Sequence, residues 1–309
     1  MSAGGSNKAV VTALLANLGI AIAKFIGFLI TGASSMLAES IHSMADTTNQ
    51  GLLLVGGKRA QKDANDTFNF GYGRERYFWS FVVALLLFSI GAGYALYEGI
   101  IKIRDPHEIS NIGVALVILA AAILLEAYAF RTAFREANQI RRGRSWWQFI
   151  RTTRNPELPV VLLEDSGAIL GLVVAISGIG LSELTGNAIW DGIATFIIGL
   201  ILAAIAVTLA IEMKSLLIGE SASAHNEKTI QWVFDNESSI SRVIDIKSQH
   251  IGPEDLLITA RVKFDPSLAG DELAAAIDGV HARLKEAVPI AEFIYIEPEL
   301  HTDAAMDVL

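Results

Sequence analysis

Inside an otherwise apolar stretch of the chain runs Ser40-Ile41-His42-Ser43-Met44-Ala45-Asp46. If this stretch is helical, His42 and Asp46, four residues apart, lie one above the other. Glu39, three residues before His42, falls within about 60° of the same face. An acid at the centre of a lipid-spanning helix costs about 2.5–3.5 kcal/mol on insertion scales, so such residues are rare and usually functional. Neutral imidazole with carboxylate, and no thiolate, suits zinc and other first-row divalent ions. A hydrogen-bonded polar seam between helices would draw on the same residue types.

A second run weakens the seam reading. Val160-Val161-Leu162-Leu163-Glu164-Asp165-Ser166 sets two adjacent carboxylates in another apolar stretch. Neighbours on a helix point about 100° apart, so both acids cannot face one site equally. Asp165 is read as the ligand, with Glu164 supporting it or packing between helices. His42, Asp46 and Asp165 are then three donors. Water, Glu164, Glu39 or a backbone carbonyl supplies the fourth of a tetrahedral site.

These donors need helices that cross a bilayer, and the composition provides them. Of 309 residues 52% are hydrophobic, and only 18% are charged, against about 25% in ordinary globular proteins. Mean hydropathy is +0.45. Six segments approach the roughly 20 apolar residues that a span requires: 9–30, 36–56, 77–101, 112–130, 160–181 and 188–211. The second, carrying Glu39, His42, Asp46, Asn49 and Gln50, is the most polar. Basic residues set the orientation. Lys58, Arg59, Lys62, Arg74 and Arg76 follow span two, and Arg131, Arg135, Arg141, Arg142, Arg144, Arg151 and Arg154 follow span four. The connections after spans one and five have none, and Lys102 and Arg104 are a small exception. Both termini are therefore expected in the cytosol.

From Glu212 onward the character changes, with 18 acidic residues against 8 basic. We divide the chain into a six-helix transmembrane domain, 1–211, and a soluble tail, 212–309. In the tail 225–234 reads as helix and 242–250 as strand. Alternation at Leu256, Ile258, Ala260, Val262 and Phe264 predicts a half-buried strand over 256–264. Leu273, Ile277, Val280 and Leu284 predict a helix within 268–288, and 293–296 a last strand. The order αββαβ implies a small ferredoxin-like sheet with helices on one face.

Several other residues have simpler expected roles. Gly19, Ala23 and Gly27 predict a close helix contact. Glu126 is assigned an ion pair with Arg131, and Asp191 a helix N-terminus. Asn17 and Asn49 are read as packing residues. Trp146 and Trp147, beside Arg141, Arg142 and Arg144, predict a helix lying on the anionic inner leaflet. With a net charge of −9, nucleic acid is not an expected partner. The absence of cysteine excludes thiolate sites and disulfides. There is no G-x-x-x-x-G-K-[ST] phosphate loop and no H-E-x-x-H motif, which argues against ATP-driven transport and against an intramembrane hydrolase. Residues 1–7 show no signal-peptide pattern, and a bacterial cytoplasmic membrane is the expected home.

The strings AESIHSMADTTNQGLL (38–53), FGYGRERYF (70–78) and VVLLEDSGAILG (160–171) resemble the cation diffusion facilitator family over essentially the whole chain, in the branch holding the mitochondrial zinc transporter of animals. The resemblance implies a homodimeric exchanger of zinc, or a related ion, against protons, with no resident cofactor. It matches His42 and Asp46 to the metal pair of span two and Asp165 to the acid of span five. Val161 stands where the family usually has histidine, which opens manganese, iron or cobalt as cargo. Phe68 and Tyr72 occupy the loop that carries histidines in some relatives. Ile244, Ala260 and Ile296 replace the histidines of a cytosolic dinuclear site, so the tail is expected to dimerise, with His250 and His301 as surface residues. A membrane metal sensor that does not transport would show the same residues.

Overall fold

The structure is a computed structural model that describes residues 3–141 and 143–299. Eight helices precede the tail: α1 (Ala3–Thr31), α2 (Ser34–Ala60), α3 (Glu75–Leu86), α4 (Gly93–Arg104), α5 (Ile112–Arg141), α6 (Trp146–Thr152), α7 (Glu157–Thr185) and α8 (Ile189–Ile218). A π-helical segment, Leu87–Ala92, joins α3 to α4, so Glu75–Arg104 runs as one 30-residue helix. This helix, α5, α7 and α8 are each long and apolar enough to cross a membrane. Among the described residues α1 adds a shorter apolar stretch, Asn17–Thr31. The expected spans thus reappear as helices, four of them with the length and apolarity of a crossing.

The side chains are distributed inside out compared with a soluble bundle. Leu184, Leu124, Tyr128 and Val117 are exposed, whereas Lys24, Glu39, His42 and Glu164 are buried. Apolar outside and polar inside is the pattern of a multi-pass membrane protein.

Glycine sets how closely these helices approach. A Cβ on Gly99 of α4 would lie 2.6 Å from the Phe196 backbone nitrogen, and one on Gly199 of α8 2.7 Å from that of Leu96. The α4 and α8 backbones are therefore in contact. Gly99→Ala should force them apart at about 1–3 kcal/mol, the usual cost of overpacking. A drop in thermal midpoint of roughly 2–10 °C in detergent is expected. Gly180→Ala, with nothing within 4 Å, should leave the midpoint unchanged; equal midpoints for both variants would contradict the contact.

Side-chain anchors fix the ends. Asp191 of α8 accepts from the Ser34 amide at 2.7 Å, the Ser35 amide at 3.3 Å and the Ser35 hydroxyl. It does serve a helix N-terminus, but that of α2. The Ser34 hydroxyl donates to Glu98 at 2.9 Å. At the other end Arg76 grips Glu157 through two 2.8 Å bonds, the planar fork that arginine offers a carboxylate.

Three local expectations need correction. Gly19 and Ala23 are exposed, and only Gly27 makes the close contact, where a Cβ would meet Met36 and lie 2.9 Å from Ile118 Cδ1. The buried stripe of α1 runs through Ala21, Lys24, Gly27 and Thr31, because a four-residue step overshoots a 3.6-residue turn. Glu126 is buried and Arg131 exposed; five residues turn a helix about 140°, which separates them. His250 is buried, its Nδ1 3.2 Å from the Gly252 carbonyl, whereas His301 lies outside the described residues. In the basic connection Trp146 packs on Phe134 with the Arg141 guanidinium over its ring, and Trp147 is exposed; Arg142 lies outside the described residues.

The chain divides into two compact units, one of residues up to Arg59 with Arg76–Lys214, the other of Ala60–Glu75 with the chain from Ser215 onward. The second contains α9 (Ala224–Asp235), β1 (Ile240–His250), β2 (Leu256–Phe264), α10 (Gly270–Ala287) and β3 (Ala291–Pro298). Strand β2 is central, antiparallel to β1 with His250 opposite Leu256, and parallel to β3 with Ile258 opposite Ile294. The parallel pair needs a crossover, and α10 provides it. Leu256, Ile258, Ala260, Val262 and Phe264 are all buried, against Ile230, Val233 and Phe234 of α9 and Val280 and Leu284 of α10. In the same unit Phe70, from the connection between α2 and α3, meets Phe293 of β3 edge-on at 5.0 Å.

Candidate metal site in the helix bundle

Helix α2 carries the polar residues because their neighbours tolerate a buried helix. Between Ser34 and Ala60 there is no proline, and the buried positions Ala38, Ser43 and Ala45 are small. Positions 42, 46 and 49 follow one face, since seven residues are nearly two turns. His42 is fully buried, with Nδ1 3.4 Å from Asp46 Oδ1. One turn on, Asn49 donates to Glu164 Oε1 of α7 at 2.7 Å. The acid of α7 that touches α2 is therefore Glu164. Asp165, the next residue, is half-buried and turned about 100° round α7 from Glu164.

Glu39 is engaged differently. Lys24 of α1 approaches Glu39 Oε2 at 3.1 Å and donates to the Ser43 hydroxyl at 2.7 Å, with both charged side chains fully buried. The other oxygen of Glu39 lies against Gly171 of α7, where a Cβ would collide with it. Ser40 adds a bond from α2 to the Ala21 carbonyl at 3.0 Å. Helix α2 is thus tied to α1 on one side and to α7 on another.

Two members of this ensemble were missed or misassigned from the sequence. Lys24 lies inside an apolar run, where a buried lysine is as informative as a buried acid. Glu126 was assigned to Arg131, whereas its charge reaches Lys24, Glu39, Asp46 and Asp165. Beside α2 lies a cavity of about 360 Å³, lined by Ile41, Met44, Thr48 and Asn49 together with Leu86 of α3 and Ile90 of the π-helical segment.

Several polar atoms along α2 lack a hydrogen-bond partner despite full burial: Glu39 Oε1, both ring nitrogens of His42, Asp46 Oδ1 and Asn49 Oδ1. A buried polar group left unsatisfied costs about 1–3 kcal/mol, and native proteins keep few of them. Among the described residues no three His, Asp or Glu side chains stand close enough to hold one ion in this conformation. Imidazole and carboxylate on α2, and the two carboxylates of α7, therefore occur as two adjacent groups bridged by Asn49.

Comparison with known proteins assigns the chain to a family. Residues 10–218, more than half of the chain, match the cation efflux transmembrane domain. The chain belongs to the cation efflux family. Members of this family are transporters rather than enzymes. Similar proteins include the mitochondrial proton-coupled zinc antiporter SLC30A9 of Homo sapiens, 29% identical over 263 residues that make up 84% of this chain and 46% of the relative. Metal tolerance protein C4 of Arabidopsis thaliana is 27% identical over 84% of this chain and 57% of its own. Magnetosome protein MamB of Paramagnetospirillum magneticum is 22% identical over 91% and 90%. The chain spans about half the length of the mitochondrial and plant relatives it matches. The cation efflux match covers all of α2 and α7, so every proposed donor lies within it.

Proposed function

We propose that this cation efflux protein exports a divalent transition-metal ion, with zinc as the leading cargo, in exchange for protons. The reading rests above all on the unsatisfied nitrogen and oxygen atoms of His42 and Asp46, on the helix that Asn49 ties to Glu164 of α7. His42, Asp46 and Asp165 are the proposed donors. Glu164 supports them through Asn49, and Glu39 is held back by Lys24. Six spans, with α1 and α2 crossing beside the four apolar helices, fit the basic connections and place both termini in the cytosol. The αββαβ unit is proposed as ferredoxin-like and as the means of homodimerisation. A bacterial cytoplasmic membrane is the proposed home, supported by the match to nearly the full length of the Paramagnetospirillum protein.

The mechanism proposed is alternating access. Ligation requires neutral imidazole and ionised carboxylates, so metal and protons compete for the same atoms. Metal binds from the cytosol as α2 and α7 bring their donors together. Opening to a more acidic side lets protons displace it, and the protonated carrier returns. The π-helical segment beside α2 is a suitable place for the helix to flex, since such bulges recur at functional sites.

The test uses proteoliposomes containing a zinc-sensitive dye, with a pH jump across the membrane. Zinc entry driven by the proton gradient, with matching proton exit, is expected; zinc binding without flux would leave a sensor instead. Val161, apolar where family members usually add an imidazole, favours a second reading in which a carboxylate-rich site carries manganese, iron or cobalt. Competition of each ion against zinc flux decides between the two cargoes.

A further inference from the structure

The ammonium of Lys24 has no place in the donor set, yet it is fully buried against Glu39 and Ser43 of the helix that carries His42 and Asp46. Glu39, Glu126 and Glu164 are buried in the bundle, Asp46 and Asp165 are partly buried, and Lys24 of α1 is fully buried with them. Ionised carboxylates without counter-charge are costly in such surroundings. A bound divalent ion offsets two of those charges, and its departure leaves them unbalanced. The protonated carrier must then cross back with those acids that no proton neutralises.

Lys24 is placed to offset part of that loss. Its Nζ contacts Glu39 and Ser43. Ser43 and Asp46 are three apart on α2, with Cβ atoms about 5–6 Å from one another. Asp46 therefore stands about one helix turn along α2 from the serine that Lys24 already holds. Asp46 Oδ1 is free of hydrogen bonds and can accept one.

We propose that Lys24 is a tethered cation: when the metal has left, it swings from Glu39 and Ser43 onto Asp46 and lets the metal-free carrier reorient. The metal expels it back to Glu39, so ion and ammonium alternate on Asp46. This rests on the transport reading above. Lys24 acts through Asp46 and does not touch the cargo, which makes it a positioning residue.

The test compares two modes of flux in proteoliposomes. Net zinc uptake driven by a pH gradient needs the metal-free carrier to reorient, whereas exchange of radioactive zinc for zinc at equal pH does not. In Lys24→Met the ratio of net uptake to exchange should fall roughly tenfold or more, because an uncompensated buried charge opposes the return step. Lys24→Arg should keep the wild-type ratio. Lys24→Met leaves Glu39 without its partner, so Lys24→Met/Glu39→Gln, which removes both charges, is measured as well and should show the same fallen ratio. A wild-type ratio in the double variant would mean that Lys24 only neutralises Glu39, and the proposal would be wrong. Parallel loss of both modes in the two methionine variants would assign Lys24 to the fold and overturn it equally. Failure of the transport reading shows separately, as absence of both modes in the wild-type protein.

Discussion

Asp46→Asn should cut proton-driven zinc flux by roughly 100-fold or more, equivalent to about 2.7 kcal/mol, while the protein still folds. Asparagine has the size of aspartate, so the packing of α2 beside Ala45 and Asn49 is retained. It lacks the anionic oxygen that would complete the pair with His42, 3.4 Å away. The loss should appear as weaker zinc binding as well as slower flux, with a melting temperature near wild type. Wild-type flux in this variant would remove α2 from the account. A protein that no longer folds would point instead to a structural seam, the alternative that the residue types allowed from the start.

The second large effect separates the two acids of α7. Asp165→Asn is expected to abolish flux to a similar degree, by roughly 100-fold. Glu164→Gln should lose about tenfold, since a glutamine carbonyl still accepts the 2.7 Å bond from Asn49 and holds α7 against α2. The geometry makes this comparison necessary, because Glu164 is the acid already in contact with α2 while Asp165 lies about 100° round the helix. Flux assays with both variants, normalised to protein inserted, distinguish the roles. The reverse order, with Glu164→Gln dead and Asp165→Asn active, would make Glu164 the ligand.

The membrane helices could be read from the chain because each is an apolar run bounded by charge or glycine. Strand β2 was placed over its full extent, 256–264, since its alternation has a period of two and its ends are marked by turns. The site on α2 showed itself for the opposite reason, as polar residues where lipid forbids them. Contacts set by distant partners were hidden. Asp191 reaches Ser35 across 156 positions, and nothing near Asp191 in sequence names its partner. Glu126 was paired with the nearest arginine, although helix rotation sends the two to opposite sides. Lys24 could have been found by the rule that exposed His42 and Asp46, since a buried lysine in a span needs an acid. The π-helical segment has only Gly91 and Gly93 nearby to mark it, and glycine is common in spans. The attachment of the connection between α2 and α3 to the tail depends on close approach of Gly73 to Gly252 and on the Phe70–Phe293 contact, neither of which has a local signature.

Anomalous scattering at the zinc edge, from crystals of the zinc-loaded protein, addresses the shared site itself. A single strong peak about 2.0–2.2 Å from a His42 nitrogen, an Asp46 oxygen and a carboxylate oxygen of Asp165 is the predicted result. A peak that touches α2 or α7 alone, or lies elsewhere in a protein that still transports zinc, would contradict it.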